Sequence, residues 1–444
     1  MTSTTFKTQR LSIATIFLIT AFSIVSLVSC KKDDIKHHPN KPASYSADVL
    51  DKWMTLQLRL MRNATGIPNQ GFARHFAYSG VAALESLAPG LQSYTSITKK
   101  WNGLTGLPQA TPGKKYYYPA NVNAAMASIN KAMFPNASST DKAAIDSLEE
   151  ALNQSFSNTQ PASVLSSSAG FGKAVADAIA KWADTDGYNV SKPYTPPVGP
   201  GLWVPTAPAF AAAATPYWGD NRTIVSGSIA GTEPAAPPAY STDPSSPFYK
   251  MVKQVYDVSQ TLTDEQKAMA IFWRDVPGAT SPGHWLSIVQ QVVRQKGSPL
   301  DKAALAYAVS GVAINDALIS CFKYKYQHNL VRPITYIRDV MGHSAWSPYI
   351  GTPAHPEYVS AHSNLSAAAA SVLEKVFGNL GSFTDHTYDY LGFAPRTFTS
   401  FTAIAEDAGQ SRLYAGIHYQ QSIDAGLLQG KKVAANILSN NNGQ

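Results

Sequence analysis

DKAALAYAVSGVAINDALISCFKYKY (residues 301–326) reads as one long helix whose N-terminal half is almost continuously apolar. A helix that is apolar all round belongs in a core rather than on a surface. It should therefore be buried, with other helices packed around it. The flanking sequence agrees. Val49, Trp53, Leu56 and Leu60 recur at i, i+4, i+7 and i+11, one face of a helix. NQGFARHFAYSGVAALESLAPG continues helically and stops at Pro89-Gly90. Residues 120–158 read as two helices split near FPNASSTD, the second capped by Ser139 or Thr140. GFGKAVADAIAKWADTDG (170–187) reads as a helix ending at Gly187. Thr263 and Gln266 have capping-box spacing and open a helix through FWRD, and SPGHWLSIVQQVVRQ forms another. Helices also fit 361–377, 397–413 and 423–438. No strand alternation persists, so the fold class is all-α, built from helical bundles.

The chain has 444 residues, 44% of them hydrophobic, enough for one large domain or two smaller ones with real cores. We divide it into an N-terminal helical region, 46–300, and a C-terminal helical region, 301–440. Residues 188–247 interrupt the first with YTPPVGPGLWVPTAPAFAAAATPYWGDN, whose proline density excludes a helix. Trp203 and Trp218 within it predict an ordered excursion packed on the body. The formal charge is +7, with the positive residues scattered, which argues against nucleic acid and suits a pocket for a small anion.

Lys7 and Arg10 precede the apolar run LSIATIFLITAFSIVSLVSC, so 1–29 reads as a signal peptide. Leu27-Val28-Ser29-Cys30 resembles a bacterial lipobox, which makes Cys30 the lipidation site and 30–45 a charged tether. The expected location is the cell envelope, lipid-anchored at the outer membrane, either surface-facing or periplasmic. Beyond the leader no hydrophobic span of about eighteen or more residues stands out. Cys321 is then the one remaining cysteine and reads as a small buried apolar residue.

Three stretches of the C-terminal third carry chemistry: KYQHNLVRP (325–333), HPEYVSAHS (355–363) and SRLYAGIHYQQSID (411–424). Singly, such a lysine, arginine or histidine is a solvated helix end or a core residue. Together they suit a tetrahedral oxyanion such as phosphate or vanadate. Lys325, Arg332 and Arg412 supply compensating charge, the arginines as directional forks. Ser360 adds a hydroxyl, and the amides near Ala361 and His362 open a helix whose free N–H groups attract an anion. His418 and His362 remain, one to bond the central atom and one for acid–base work. Phe322, Lys325 and His328 fall at i, i+3 and i+6, on one side of a helix end.

Lys-x6-Arg-Pro, then Ser-x-His, then Ser-Arg-x5-His resembles the signature of the vanadium haloperoxidase and type-2 phosphatidic acid phosphatase superfamily. DALISCFKYKYQHNLVRPITYIR, TPAHPEYVSAHS and GIHYQQSIDAGLLQGKKVA are similar to its haloperoxidase-like bacterial branch. More diffuse likeness runs upstream through WADTDG, LWVPTAP, ATPYWGDN and LTDEQKAMAIFWRD. The resemblance implies roles. Lys325, Arg332, Arg412, Ser360 and the Ala361 amide would bind the oxyanion. His418 would be the metal ligand to vanadate, or the nucleophile if phosphate occupies the same site; His362 would be the acid–base residue. The implied partners are hydrogen peroxide and a halide.

The sequence departs from the family at three positions. Ala361 stands where the family has glycine, which matters if the backbone there needs a glycine-only φ. Ser422 stands where the phosphatases place an aspartate four residues after the histidine, leaving the partner that orients His418 unidentified. Phe322 replaces a common tryptophan, which bears on halide preference. The expected function is vanadate-dependent halide oxidation; the alternatives are an acid phosphatase of the same superfamily and a degenerate oxyanion-binding lipoprotein. His328, His343, His355, Asp275 and Asp316 read as structural residues, and His284, Trp285 and Trp273 as core.

Overall fold

The computed structural model describes residues 41–91 and 100–439, so the leader and the Cys30 lipidation site lie outside the described residues. The fold is helical. The first five helices are Asp48–Asn63 (α1), Asn69–Glu85 (α2), Tyr118–Met133 (α3), Ser139–Ser157 (α4) and Ala162–Ala183 (α5). After the long loop come Pro247–Gln260 (α6), Asp264–Phe272 (α7), Ser281–Gln295 (α8) and Leu300–His328 (α9). Pro333–Asp339 (α10), Ala361–Phe377 (α11), Phe401–Tyr414 (α12) and Gln420–Ser439 (α13) complete the set.

α9 is the long apolar helix, and it is the common wall of the molecule. It packs against α2 on the N-terminal side and against α11 on the C-terminal side. Its composition and length would let it cross a membrane, contrary to the expectation that no such span follows the leader, but 94% of its apolar window is buried inside the protein. The approach to α2 depends on glycine: a Cβ on Gly311 would lie 2.8 Å from the Cα of Ala77. A second close approach shapes the site. A Cβ on Gly426 of α13 would lie 2.7 Å from the Ser360 carbonyl, so α13 seats directly on the start of α11.

The Pro-rich excursion is ordered, as its tryptophans predict. Trp203 and Trp218 are buried, and Asp316 of α9 ties the loop down. Its carboxylate accepts the N–H groups of Ile224 (2.8 Å) and Val225 (3.0 Å) and the hydroxyl of Ser228 (2.8 Å). Burial raises this carboxyl to about 6, opposed by those same bonds. Asp316 is thus a loop anchor.

Several expectations need correction. α6 lies in a stretch the sequence reading passed over; Ser246 caps it and Pro247 opens it. The cap of α4 is Ser138, whose side chain accepts from the Asp141 N–H, rather than Ser139 or Thr140. The expected helix at 170–187 begins earlier and ends at Ala183. A two-stranded antiparallel sheet, Phe383–Asp385 with Arg396–Phe398, interrupts the helical pattern, too short for alternation to register in sequence. The capping box at Thr263 and Gln266 forms as expected.

Candidate active site

The site forms where α9 ends, α11 begins and α12 turns into α13. Asn329 takes a left-handed conformation (φ 49°) and its N–H bonds the Lys325 carbonyl, closing α9. The chain then reverses so that Arg332 becomes the N-cap residue of α10, with Pro333 fixing the next turn. Ser360 caps α11 by accepting the Ser363 N–H. Ala361 is the first residue of that helix and is not among the residues with positive φ, so alanine meets no backbone strain there.

The three predicted cations are buried. Lys325 donates to the carbonyls of Pro356 (3.1 Å) and Glu357 (2.8 Å). Arg332 donates to the carbonyls of His355 and Ile417, each at 2.8 Å, and reaches His355 Nδ1 (3.0 Å) and His418 Nε2 (3.3 Å). Arg412 donates to the Ala270 carbonyl (3.1 Å) and to Ser411 Oγ (3.0 Å). Among the described residues none of the three forms an ion pair with a carboxylate. Burial pulls Lys325 down to about 7 and both arginines to about 10. Glu357 offsets Lys325 and Arg332, and Asp275 offsets Arg412, only from beyond ion-pair contact, so an anion placed among these groups relieves the remaining cost of burying them.

The partners of each histidine fix its tautomer. His418 Nδ1 lies 2.6 Å from Glu357 Oε1, and that same oxygen accepts the Tyr419 N–H at 3.1 Å. Oε1 is therefore an acceptor and Nδ1 carries the proton. On the other edge Arg332 can only donate, so His418 Nε2 presents its lone pair. His362 is arranged in mirror fashion. Its Nε2 faces the Trp273 carbonyl and Ser281 Oγ, each at 2.8 Å, so Nε2 carries the proton and Nδ1 the lone pair. Ser281 in turn donates to Asp275 Oδ1 (3.0 Å). Burial, then the field of Arg412, lowers His362 to about 4, so the ring is neutral; burial and Arg332 likewise hold His418 well below the usual histidine range.

A cavity of about 280 Å³ has Ala361, His362 and His418 in its wall, whereas Lys325, Arg332, Ser360 and Arg412 are not among its lining residues. Phe322, Leu318, Leu365 and Ile417 make the wall largely apolar, and Asn69 and Gln70 reach it from the start of α2. No cluster of three or more His, Cys, Asp or Glu able to hold a metal cation occurs among the described residues. One histidine lone pair set among three buried cations suits an oxyanion, and vanadate fits that donor set.

The structure thus brings together Lys325, Arg332, Ser360, Ala361, His362, Arg412 and His418. Ser360 is the least direct member: its oxygen is engaged as a cap and also accepts from Ser363 Oγ (3.0 Å). His355, expected to be structural, lines the cavity and touches Arg332. Asp275 also faces the site and is linked to His362 through Ser281. Glu357 is the orienting carboxylate that sequence reasoning missed. The expected partner was sought C-terminal to His418, whereas Glu357 lies three residues before Ser360 in HPEYVSAHS. His343 stacks on Tyr256 (4.0 Å), and His328 packs against Tyr324 and Tyr358, so both are structural. Trp273, His284 and Trp285 are buried core residues, as expected.

The family model for the second helical-bundle domain of VCPO matches residues 305–442. Among solved structures, a bacterial vanadium-dependent iodoperoxidase superposes with a TM-score of 0.80 and 34% sequence identity, covering 89% of this chain and 96% of that one. The holo form of a bacterial vanadium-dependent chloroperoxidase gives a TM-score of 0.65 at 17% identity, covering 86% and 94% of the two chains. Its apo form gives 0.62 at 17% identity over 86% and 96%; at that identity the likeness speaks to the fold. A search of the curated proteins finds no match.

Proposed function

This chain belongs to the vanadium-dependent haloperoxidases, and we propose that iodide is the halide it oxidises best. Its activity is the oxidation of a halide by hydrogen peroxide at a vanadate cofactor. The reading of iodide is supported by the 34% identity to an iodoperoxidase over nearly the full length of both chains. It is also supported by the apolar cavity wall around Phe322, since a large, weakly hydrated anion loses least on leaving water.

The observation that carries the site assignment is the His418 tautomer, fixed between Glu357 and Arg332. We assign His418 Nε2 as the ligand to vanadium. Lys325, Arg332, Arg412, Ser360 and the Ala361 amide surround the oxygens and balance their charge. Bound vanadate supplies a Lewis-acidic centre that activates peroxide toward halide. The protein's own part is to hold the anion, exclude bulk water, and move a proton at His362 Nδ1, whose lone pair the Trp273 carbonyl keeps available. The anchor we propose is a lipid on Cys30, placing the enzyme at the cell envelope; it rests on the lipobox-like sequence.

One observation favours a second activity for the vanadate-free protein. A carboxylate behind a histidine lone pair is also the arrangement a histidine nucleophile needs, and phosphate has the same tetrahedral shape. The test pairs the two. Protein starting at residue 31 is loaded with orthovanadate, freed of excess, and assayed for peroxide-dependent iodide and bromide oxidation. The vanadate-free protein is assayed on p-nitrophenyl phosphate. We expect vanadate-dependent halide oxidation, faster with iodide, lost in His418→Ala. Bromide turning over as fast as iodide overturns the halide assignment. Efficient ester hydrolysis with no halide oxidation makes the phosphatase the primary function.

A further inference from the structure

Among the described residues the Gln70 side chain has no hydrogen-bond partner. It lies in the first turn of α2 and is 8% exposed. It lines the candidate cavity, and its amide makes no hydrogen bond to any described residue. The residue is mostly buried, but its amide atoms are not among the sealed, partnerless polar atoms of the core, so they open onto the cavity. Whatever this amide bonds, water or a ligand, it meets in the cavity.

The surroundings specify the sign of the partner. α2 starts at Pro68, which offers no side-chain cap, so the positive end of this helix is uncompensated by the protein. Two more helices begin at the same cavity: α8 with Ser281 and Pro282, and α11 with Ala361 and His362. Three positive helix ends and an amide with two free N–H donors favour an anion. Asp275 is the one acidic residue in the wall, and its Oδ1 is occupied by the N–H (2.7 Å) and hydroxyl (3.0 Å) of Ser281. Asn69 is exposed and stands beside Gln70, marking that side of the cavity as reachable from solvent.

We propose that the Gln70 carboxamide, at the start of α2, binds the halide on the wall of the cavity contributed by the N-terminal helices. The inference rests on the haloperoxidase reading above. It adds a second anion subsite to the oxyanion subsite, drawn from a different part of the chain. The oxyanion site takes its groups from residues 325–418, whereas the halide site takes its donor from residue 70. A cavity of about 280 Å³ has space for both. Specificity among halides then depends on how far this amide stands from the vanadate, not only on residues surrounding the vanadate.

The test uses two near-isosteric substitutions in the vanadate-loaded protein. Gln70→Leu removes the donors, and Gln70→Glu replaces one with negative charge. KM for iodide should rise roughly tenfold in Gln70→Leu and further in Gln70→Glu, the scale expected for losing a hydrogen bond to an ion. KM for hydrogen peroxide and the affinity for vanadate should stay within about twofold. Crystals of vanadate-free protein soaked in iodide should show an anomalous peak within contact of the Gln70 side chain, lost in Gln70→Glu. An unchanged iodide KM in both folded variants overturns the proposal, as does an iodide peak on the opposite wall. Failure of the haloperoxidase reading shows differently: no halide oxidation by the unsubstituted protein, with the crystallographic arm still deciding whether Gln70 holds iodide. Should Gln70→Glu fail to fold, Gln70→Leu and the soak of the unsubstituted protein decide the matter.

Discussion

The two active-site histidines sit in the same cavity wall and are both buried and neutral, yet they are held by opposite means. His418 is backed by a carboxylate, which accepts the Nδ1–H hydrogen bond and leaves the lone pair on Nε2. His362 is backed by a backbone carbonyl, which accepts the Nε2–H hydrogen bond and leaves the lone pair on Nδ1. A carboxylate adds basicity to the lone pair across the ring, as a ligand or nucleophile requires. A carbonyl fixes orientation without adding charge, and the nearest carboxylate, Asp275 Oδ2, stands 3.6 Å from the ring. The difference matches the two roles we propose, His418 bonding the central atom and His362 exchanging a proton and letting it go.

This contrast is breakable by experiment. His418→Ala should abolish halide oxidation and vanadate binding together. His362→Ala should lower kcat by about 10²–10⁴-fold while leaving vanadate bound, the range typical of a lost acid–base group. If His362→Ala loses vanadate as completely as His418→Ala, the two roles are not distinct. Glu357→Gln should weaken vanadate about 10–100-fold, as loss of a ligand's supporting partner does, without unfolding the protein. Equilibrium dialysis against vanadate measures binding in all three variants, and steady-state iodide oxidation measures their kcat.

Charge in the oxyanion site gives a pH prediction. Lys325 in the anion-free site titrates at about 7, lowered from its ordinary value by burial. Above that pH the folded protein lacks a proton that the unfolded chain still holds. The lysine therefore penalises folding while charged, and its penalty fades as pH rises from about 7 toward the unfolded value. Anion binding has the opposite sign. It needs the charged lysine, so affinity for sulfate, whose own charge is constant over this range, should fall between pH 7 and 9, by at most about tenfold per unit. Lys325→Met should bind sulfate more weakly at pH 7 and lose most of that slope. Calorimetric titration of both proteins checks it.

What was legible in the sequence follows from spacing. Lys325, Arg332, Ser360, His362, Arg412 and His418 lie in short runs at helix ends, where local rules place a side chain within a turn or two. Glu357, Gln70 and Asp275 were not legible, because their roles arise from packing between elements far apart in the chain. Glu357 reaches His418 across 61 residues, and Ser281 reaches His362 across 81. α6 is different: its Ser246 cap and Pro247 start are local signals that were passed over, whereas the β1–β2 pair is too short for alternation to show. Asp316 reads as a structural residue in the sequence, and the structure shows what it holds, the loop at Ile224 and Val225. Asp316→Ala should cost about 2–4 kcal/mol of stability through unsatisfied buried N–H groups, with less effect on vanadate affinity than Glu357→Gln. Thermal unfolding of the two variants separates an anchor from a site residue.

The smallest effect is expected at Ala361. Its backbone is ordinary helix, so restoring the family's glycine should leave activity unchanged within about twofold and lower stability by no more than about 1 kcal/mol.

The central claim is that His418, oriented by Glu357, is the residue through which this chain holds vanadate. Vanadium bound per chain, measured after dialysis of the unsubstituted protein and of His418→Ala, tests it most directly. The account predicts stoichiometric vanadium in the first and none retained in the second, with the fold of both intact by circular dichroism. Stoichiometric vanadium in folded His418→Ala would contradict it.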